Sequence, residues 1–133
     1  MAKILVSDSL AQEGRAILED GGANEVVYKP EITPEEILAE IGEYEALVIR
    51  SRTIVTADVL RAAKKMKIVG RAGVGVDNVD IPVATDCGIM VANAPEGNTI
   101  STCEHAISLM MSLVRNIAVG DATMKAGKWE KKK

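Results

Sequence analysis

The sequence predicts an α/β domain built on a parallel sheet. Short apolar runs at residues 4–6, 46–49 and 68–69 alternate with segments of helical periodicity. Capping and stop residues separate them, with Thr33-Pro34-Glu35-Glu36 opening one helix and Gly21-Gly22 closing another. Apolar residues make up 47% of the 133 residues while aromatics are only 2% and Phe is absent, so the core is one of Ile, Val, Leu, Met and Ala.

Residues 4–6 form the first strand. Ser9 or Asp8 then caps a helix carrying Leu10, Ala11, Ile17 and Leu18, which Gly21-Gly22 stop. Residues 25–28 are the second strand. In the next helix Thr33 supplies the capping hydroxyl, Pro34 the first helical position and Glu36 the reciprocal acceptor. That helix is expected to bury Ile37, Leu38 and Ile41 and to end at Gly42. Residues 46–49 are the third strand, and Thr56 caps a helix with Val59, Leu60 and Ala63 inward. Residues 68–69 are the fourth strand, a short helix spans about 81–85, and 89–92 are the fifth strand. The pattern resembles a flavodoxin-like five-stranded sheet of order 2-1-3-4-5, whose ligands bind beyond the carboxyl ends of the strands.

One long helix is expected over about 99–119. Ile100, Cys103, Ile107, Met110, Val114 and Ile117 form one apolar stripe, while Ala106, Leu109 and Leu113 form a second that Met111 widens. Such a helix is either central to a core or covered by another domain or subunit, and the second reading suits so short a chain better.

The net charge of −3 gives no electrostatic case for nucleic acid, and Lys131 to Lys133 read as a tail. No apolar run approaches the roughly 18–20 residues of a membrane span. Met1-Ala2-Lys3 leads straight into a strand, so no leader is expected. Cys87 and Cys103 lack metal-ligand spacing and read as reduced, buried thiols of a cytoplasmic protein. His105 stands alone, which does not support a metal site, and reads as a core or interface histidine.

The chemistry concentrates at two strand ends. Arg50-Ser51-Arg52 closes the third strand and Arg71 the fourth, its neighbour. Guanidinium groups and a hydroxyl at one sheet edge suit a dianionic phosphate, bound by Arg50, Ser51 and Arg71. The plainer alternative is that these arginines pair with surface carboxylates. Gly73-Val74-Gly75 follows at once, but a G-x-G-x-x-G fingerprint fails at Asn78. The turn is either a cradle, its Val74 and Gly75 amides meeting a carboxylate, or a simple tight turn. Asp8 reads as a helix cap, and Asp77 and Asp80 as caps or braces of the short helix that follows. Glu104 and His105, adjacent on a helix, do not face each other as a catalytic pair. A phosphoaccepting receiver domain would need Asp where Arg50 and Ser51 stand. A flavin protein would need a hydroxyl-rich loop in place of Ser7-Asp8-Ser9-Leu10, and more aromatic rings. A non-catalytic binding module for small phosphorylated or carboxylic acids stays open.

Residues 50–53, 67–80 and 88–95 together resemble the D-isomer-specific 2-hydroxyacid dehydrogenases. Residues 96–101, Glu104-His105-Ala106 and 124–130 are similar to the branch of that family that oxidises 3-phospho-D-glycerate. The resemblance implies NAD-dependent formation of 3-phosphohydroxypyruvate, the entry to serine synthesis. It implies a substrate-binding (lid) domain over 1–98 and an interdomain helix with linker over 99–133. Arg50 and Arg71 match arginines near the substrate phosphate, and Val74 and Gly75 match the turn over the substrate carboxylate and the nicotinamide. Lys131 stands where relatives often carry an Arg that reaches a neighbouring subunit's substrate. The NAD-binding domain, with its catalytic arginine, glutamate and acid–base histidine, is implied to lie after residue 133, and His105 does not match that histidine. The chain alone is then expected to be inactive, to bind NAD weakly and to form a homodimer through the 99–119 helix.

Overall fold

The computed structural model describes residues 1–129. The chain divides into two compact units, Met1–Gly97 and a second beginning at Asn98. The first is a five-stranded parallel sheet flanked by helices. Its strands are β1 (Lys3–Val6), β2 (Glu25–Tyr28), β3 (Ala46–Ile49), β4 (Ile68–Arg71) and β5 (Met90–Asn93). Their order is β2-β1-β3-β4-β5, as the sequence pattern predicts. The helices are α1 (Gln12–Glu19), α2 (Pro34–Glu40), α3 (Ala57–Ala62) and α4 (Ile81–Asp86).

The register explains the apolar runs. Leu5 pairs with Leu47, Leu47 with Val69 and Val69 with Val91. The first three of these are at most 1% exposed, since strands inside a parallel sheet are covered on both faces. Ile37, Ile41, Ile49, Val55, Val59 and Leu60 complete the core around them. The Thr33 hydroxyl accepts from the Glu36 amide at 3.3 Å, while the Glu36 carboxylate accepts from the Thr33 amide at 2.9 Å. This reciprocal pair opens α2 where the sequence places it. Thr56 caps α3 without a reciprocal bond, its hydroxyl accepting from the Val59 amide. The first helix ends as Asp20, Gly21 and Gly22 all take positive φ, a region glycine enters without cost.

Four expectations are corrected. Leu38 is 45% exposed, because α2 turns only Ile37 and then Ile41 inward. The first helix begins only at Gln12, so Leu10 and Ala11 precede it instead of lying on it, and Ile17 faces outward. Cys87 and Cys103 are free but exposed, not buried, and His105 is exposed rather than in a core. The long C-terminal helix is two: α5 (Thr99–Val114) and α6 (Ile117–Lys125). Asn116 separates them with a φ of 51°, a left-handed conformation that asparagine tolerates better than most residues. No residue of α5 or α6 is buried. Ile100, Leu109, Met110, Leu113 and Val114 are all more than half exposed. Among the described residues no helix is long and apolar enough to cross a membrane, and no group of three or more His, Cys, Asp or Glu is placed to hold a metal ion.

The contrast between neighbours on α2 is directly measurable. Ile37→Ala is expected to cost about 2–5 kcal/mol, whereas Leu38→Ala should stay within about 1 kcal/mol, both by urea denaturation. Equal losses at the two positions would contradict the orientation of this helix.

Candidate functional site at the carboxyl edge of the sheet

The sheet order brings the ends of β1, β3 and β4 side by side. Asp8, just beyond β1, is 3% exposed and carries its carboxylate into the interior. Oδ2 accepts from the Arg50 amide at 2.5 Å and from the Thr53 amide at 3.2 Å. Oδ1 accepts from the Thr53 hydroxyl at 2.9 Å and meets Arg52 Nε at 3.2 Å. Burial alone would raise the Asp8 pKa. The Arg50 and Thr53 hydrogen bonds and the Arg52 charge outweigh it and hold the group below its ordinary value. Asp8 is therefore not the expected helix cap. The residue before α1 is Ala11, which offers no side-chain cap.

The two arginines of the loop after β3 take different roles. Arg52 folds inward: Nη1 donates to the Ile32 carbonyl at 3.2 Å and Nη2 to the Ser7 carbonyl at 2.5 Å, and Nη2 also donates to the Pro30 carbonyl. It ties the ends of β1 and β2 to the loop. Arg50 faces outward, and among the described residues its guanidinium donates just two hydrogen bonds, both at 3.5 Å, to the Ser9 carbonyl and hydroxyl. Arg50, Ser51 and Arg52 line a cleft of about 190 Å³ with Asp8, Ser9, Pro30 and Glu31. Arg50 is thus the loop's weakly held guanidinium, while the buried charge of Asp8 is met from within by Arg52.

The glycine turn after β4 forms the second half of the rim. Arg71 pairs with Ile49 across the sheet, and its Nε donates to the Arg50 carbonyl at 3.3 Å. Its Nη1 meets the Asp77 carboxylate at 3.0 Å, with the Arg71 side chain 12% exposed. Asp77 thus pairs with Arg71 instead of bracing α4, and Asp80 alone caps that helix, through the Val83 amide. The turn's carbonyls are held from β5: Gly73 accepts from the Ala94 amide at 2.9 Å and Val74 from Asn93 Nδ2 at 2.6 Å. Among the described residues, the Val74 and Gly75 amides donate to no protein acceptor, and both residues are exposed. A Cβ on Gly75 would lie 2.7 Å from Asp77 Oδ1 and 2.9 Å from Arg71 Nη1, so glycine makes room for that ion pair.

The structure therefore gathers Arg50, Ser51, Arg71, Val74 and Gly75 on adjoining strand ends. Arg71 joins the two halves through the Arg50 backbone, although Asp77 occupies one edge of its guanidinium. Lys131 lies outside the described residues. Sequence reasoning missed Arg52, Asn93 and Asn78 as structural members of the rim. Asn78 had a signal, as the residue that breaks the glycine fingerprint.

The Asp8 geometry fixes a pH dependence. A carboxylate whose pKa is lowered on folding adds stability above its unfolded value, and that stability is lost as pH falls through the folded value. Asp8→Asn should destabilise the domain at pH 7 by about 1–3 kcal/mol. The gap between variant and parent should close as pH drops below the ordinary aspartate value of 3.8. Thermal unfolding from pH 7 to pH 2 checks this, and a gap independent of pH would contradict it.

Comparison with known proteins agrees with this architecture. The family model of the D-isomer specific 2-hydroxyacid dehydrogenase catalytic domain matches residues 4–127. The chain is 51% identical over 131 residues to the D-3-phosphoglycerate dehydrogenase of Archaeoglobus fulgidus, covering 98% of this chain and 25% of that protein. It is 50% identical over 133 residues to the Homo sapiens D-3-phosphoglycerate dehydrogenase, again covering 25% of the relative. The chain thus spans about a quarter of the length of these relatives. An NAD+-bound 3-phosphoglycerate dehydrogenase from Entamoeba histolytica superposes with a TM-score of 0.71 at 26% identity, over 84% of this chain and 38% of that one. A glyoxylate reductase from Paecilomyes thermophila shares the fold, with a TM-score of 0.83 at 22% identity, over 98% of this chain and 43% of that one. With the parallel sheet, the paired strand-end loops and a family match over nearly its whole length, the chain belongs to the D-isomer-specific 2-hydroxyacid dehydrogenases.

Proposed function

We propose that this chain is the substrate-binding part of an NAD-dependent D-3-phosphoglycerate dehydrogenase. In this reading it holds 3-phospho-D-glycerate while oxidation to 3-phosphohydroxypyruvate is completed in a dinucleotide-binding domain outside the chain. The observation that supports the reading is that Arg50 and Ser51 and the uncommitted Val74 and Gly75 amides lie on the loops after the neighbouring strands β3 and β4, which Arg71 joins through the Arg50 carbonyl. The substrate offers a phosphate and a carboxylate. Arg50, held by only two long contacts, meets the phosphate with the Ser51 hydroxyl. Arg71, held between the Arg50 carbonyl and Asp77, adds its positive charge, and the turn amides take the carboxylate.

The glycine turn after β4 does not complete a dinucleotide fingerprint. The position of a third fingerprint glycine is Asn78, which is buried and bonded to two backbone carbonyls. Val74 is the one residue that this reading places against the nicotinamide. Oxidation needs a hydride acceptor beside the substrate and a base for the hydroxyl proton, and the reading assigns both to polypeptide outside this chain. Domain closure would supply part of the binding energy, so this chain alone should bind substrate weakly.

The exposed apolar side chains of α5 are the surface through which the reading assembles two copies into a homodimer. The exposed, unpaired Cys87 and Cys103 suit the reducing cytoplasm.

Two measurements test the reading. Calorimetric titration should show 3-phosphoglycerate binding more tightly than glycerate, with Arg50→Ala erasing the difference, and no NADH should form with NAD present. Equal affinity for the two acids, or NADH above a blank, would overturn it. Light scattering over a concentration series should show dimers, and a monomer at every concentration would remove the proposed role of α5.

A further inference from the structure

The geometry points to Asn78 as a positioning residue that locks the arginine loop to the glycine turn, so that both halves of the rim are presented as one preformed anion site. This rests on the reading of the rim as the site for phosphate and carboxylate.

Residues 50–53 connect β3 to the segment before α3, and a loop of this kind ordinarily leaves its peptide groups to water. Here both ends are tied by side chains. Asp8 accepts from the amides of Arg50 and Thr53. Asn78 donates through Nδ2 to the carbonyls of the same two residues, at 2.8 Å to Arg50 and 2.7 Å to Thr53. The N–H and C=O of each end residue are thus all fixed, while Ser51 between them stays exposed. Two carbonyl partners require the amide nitrogen to face them. Asn78 is 8% exposed and its Oδ1 has no donor among the described residues. A buried side chain that leaves its own acceptor unpaired while covering two carbonyls is placed for those carbonyls.

Asn78 also belongs to the other half of the rim, as it follows the turn at Gly73–Gly75 in the chain. The Arg50 carbonyl it grips is the one that receives Arg71 Nε at 3.3 Å. One backbone oxygen therefore joins Arg71, Asn78 and the arginine loop. Next to it, Val55 and Val79 form an isolated parallel bridge, with the Val55 amide donating to the Asn78 carbonyl at 2.8 Å. That bridge holds the two segments together without the Asn78 side chain. The side chain's separate task is to set the conformation of residues 50–53, and with it where Arg50 and Ser51 point. A donor array fixed before the ligand arrives loses less freedom on binding.

The test uses Asn78→Asp, which keeps the volume but turns a carboxylate toward two carbonyls, and Asn78→Ala, which removes the donors without adding charge. Each protein is titrated with 3-phosphoglycerate while the amide resonances of Ser51 and Gly75 are followed. In the parent both should shift along one common curve. In both variants affinity should fall by about ten- to a hundredfold and the two curves should separate, as misplaced binding groups predict. The Val55 amide should stay protected from exchange, showing that the fold persists and that the loss is one of positioning. Variants that keep the parent's affinity and common curve would overturn the proposal and leave the functional reading standing. A parent protein that shows no shift at Ser51 or Gly75 would remove the functional reading, and this proposal with it.

Discussion

A carboxylate that is 3% exposed, as Asp8 is, must be met by donors or give up its charge. The order of the sheet decides which donors are in reach. Because β1 lies between β2 and β3, the end of β1 touches the loops leaving both neighbours. Two amides and a hydroxyl come from the β3 loop, and Arg52 comes with them. Once Arg52 turns inward to that charge and to the carbonyls of Ser7, Pro30 and Ile32, Arg50 is left on the outside. Two chemically identical side chains in one short loop are separated into an inward strut and an outward-facing, weakly bonded guanidinium by a single buried charge. Removing one member of such a buried set costs more than the set contributes, because the remaining groups stay buried without partners.

The second half of the rim is organised by glycine. Gly75 has no Cβ to hold off the Arg71–Asp77 pair, so the guanidinium lies against the turn instead of reaching into solvent. The turn's carbonyls are drawn toward the end of β5 by Ala94 and Asn93, and its amides are left uncommitted. The result is a rim in which charge and backbone donors are fixed by the scaffold.

The sheet and its order were legible because strands buried on both faces are written in consecutive residues, and Thr33-Pro34-Glu35-Glu36 states its own helix start. The rim was legible only in part. Arg50, Ser51, Arg71, Val74 and Gly75 could be placed at strand ends from local pattern, but their partners lie far away in the chain. Asp8 reaches Thr53 and Asn78 reaches Arg50, and no periodicity reports such contacts. For the same reason Asp8 looked like a helix cap and Asp77 like a brace for α4. The break at Asn116 was hidden by apolar residues that continue on both sides of it, and the exposure of Leu38 by the shortness of α2.

The loop after β3 is held from beneath by Asp8 and Asn78 while Ser51 stays open to solvent. Backbone amide hydrogen exchange at neutral pH, resolved residue by residue, tests it most directly. The Arg50 and Thr53 amides should exchange only through global opening, at the rate of the Leu47 amide in the central sheet, while the Ser51 amide between them exchanges freely. If Arg50 and Thr53 exchange as fast as Ser51, the loop is not clamped, and a preformed anion rim is contradicted.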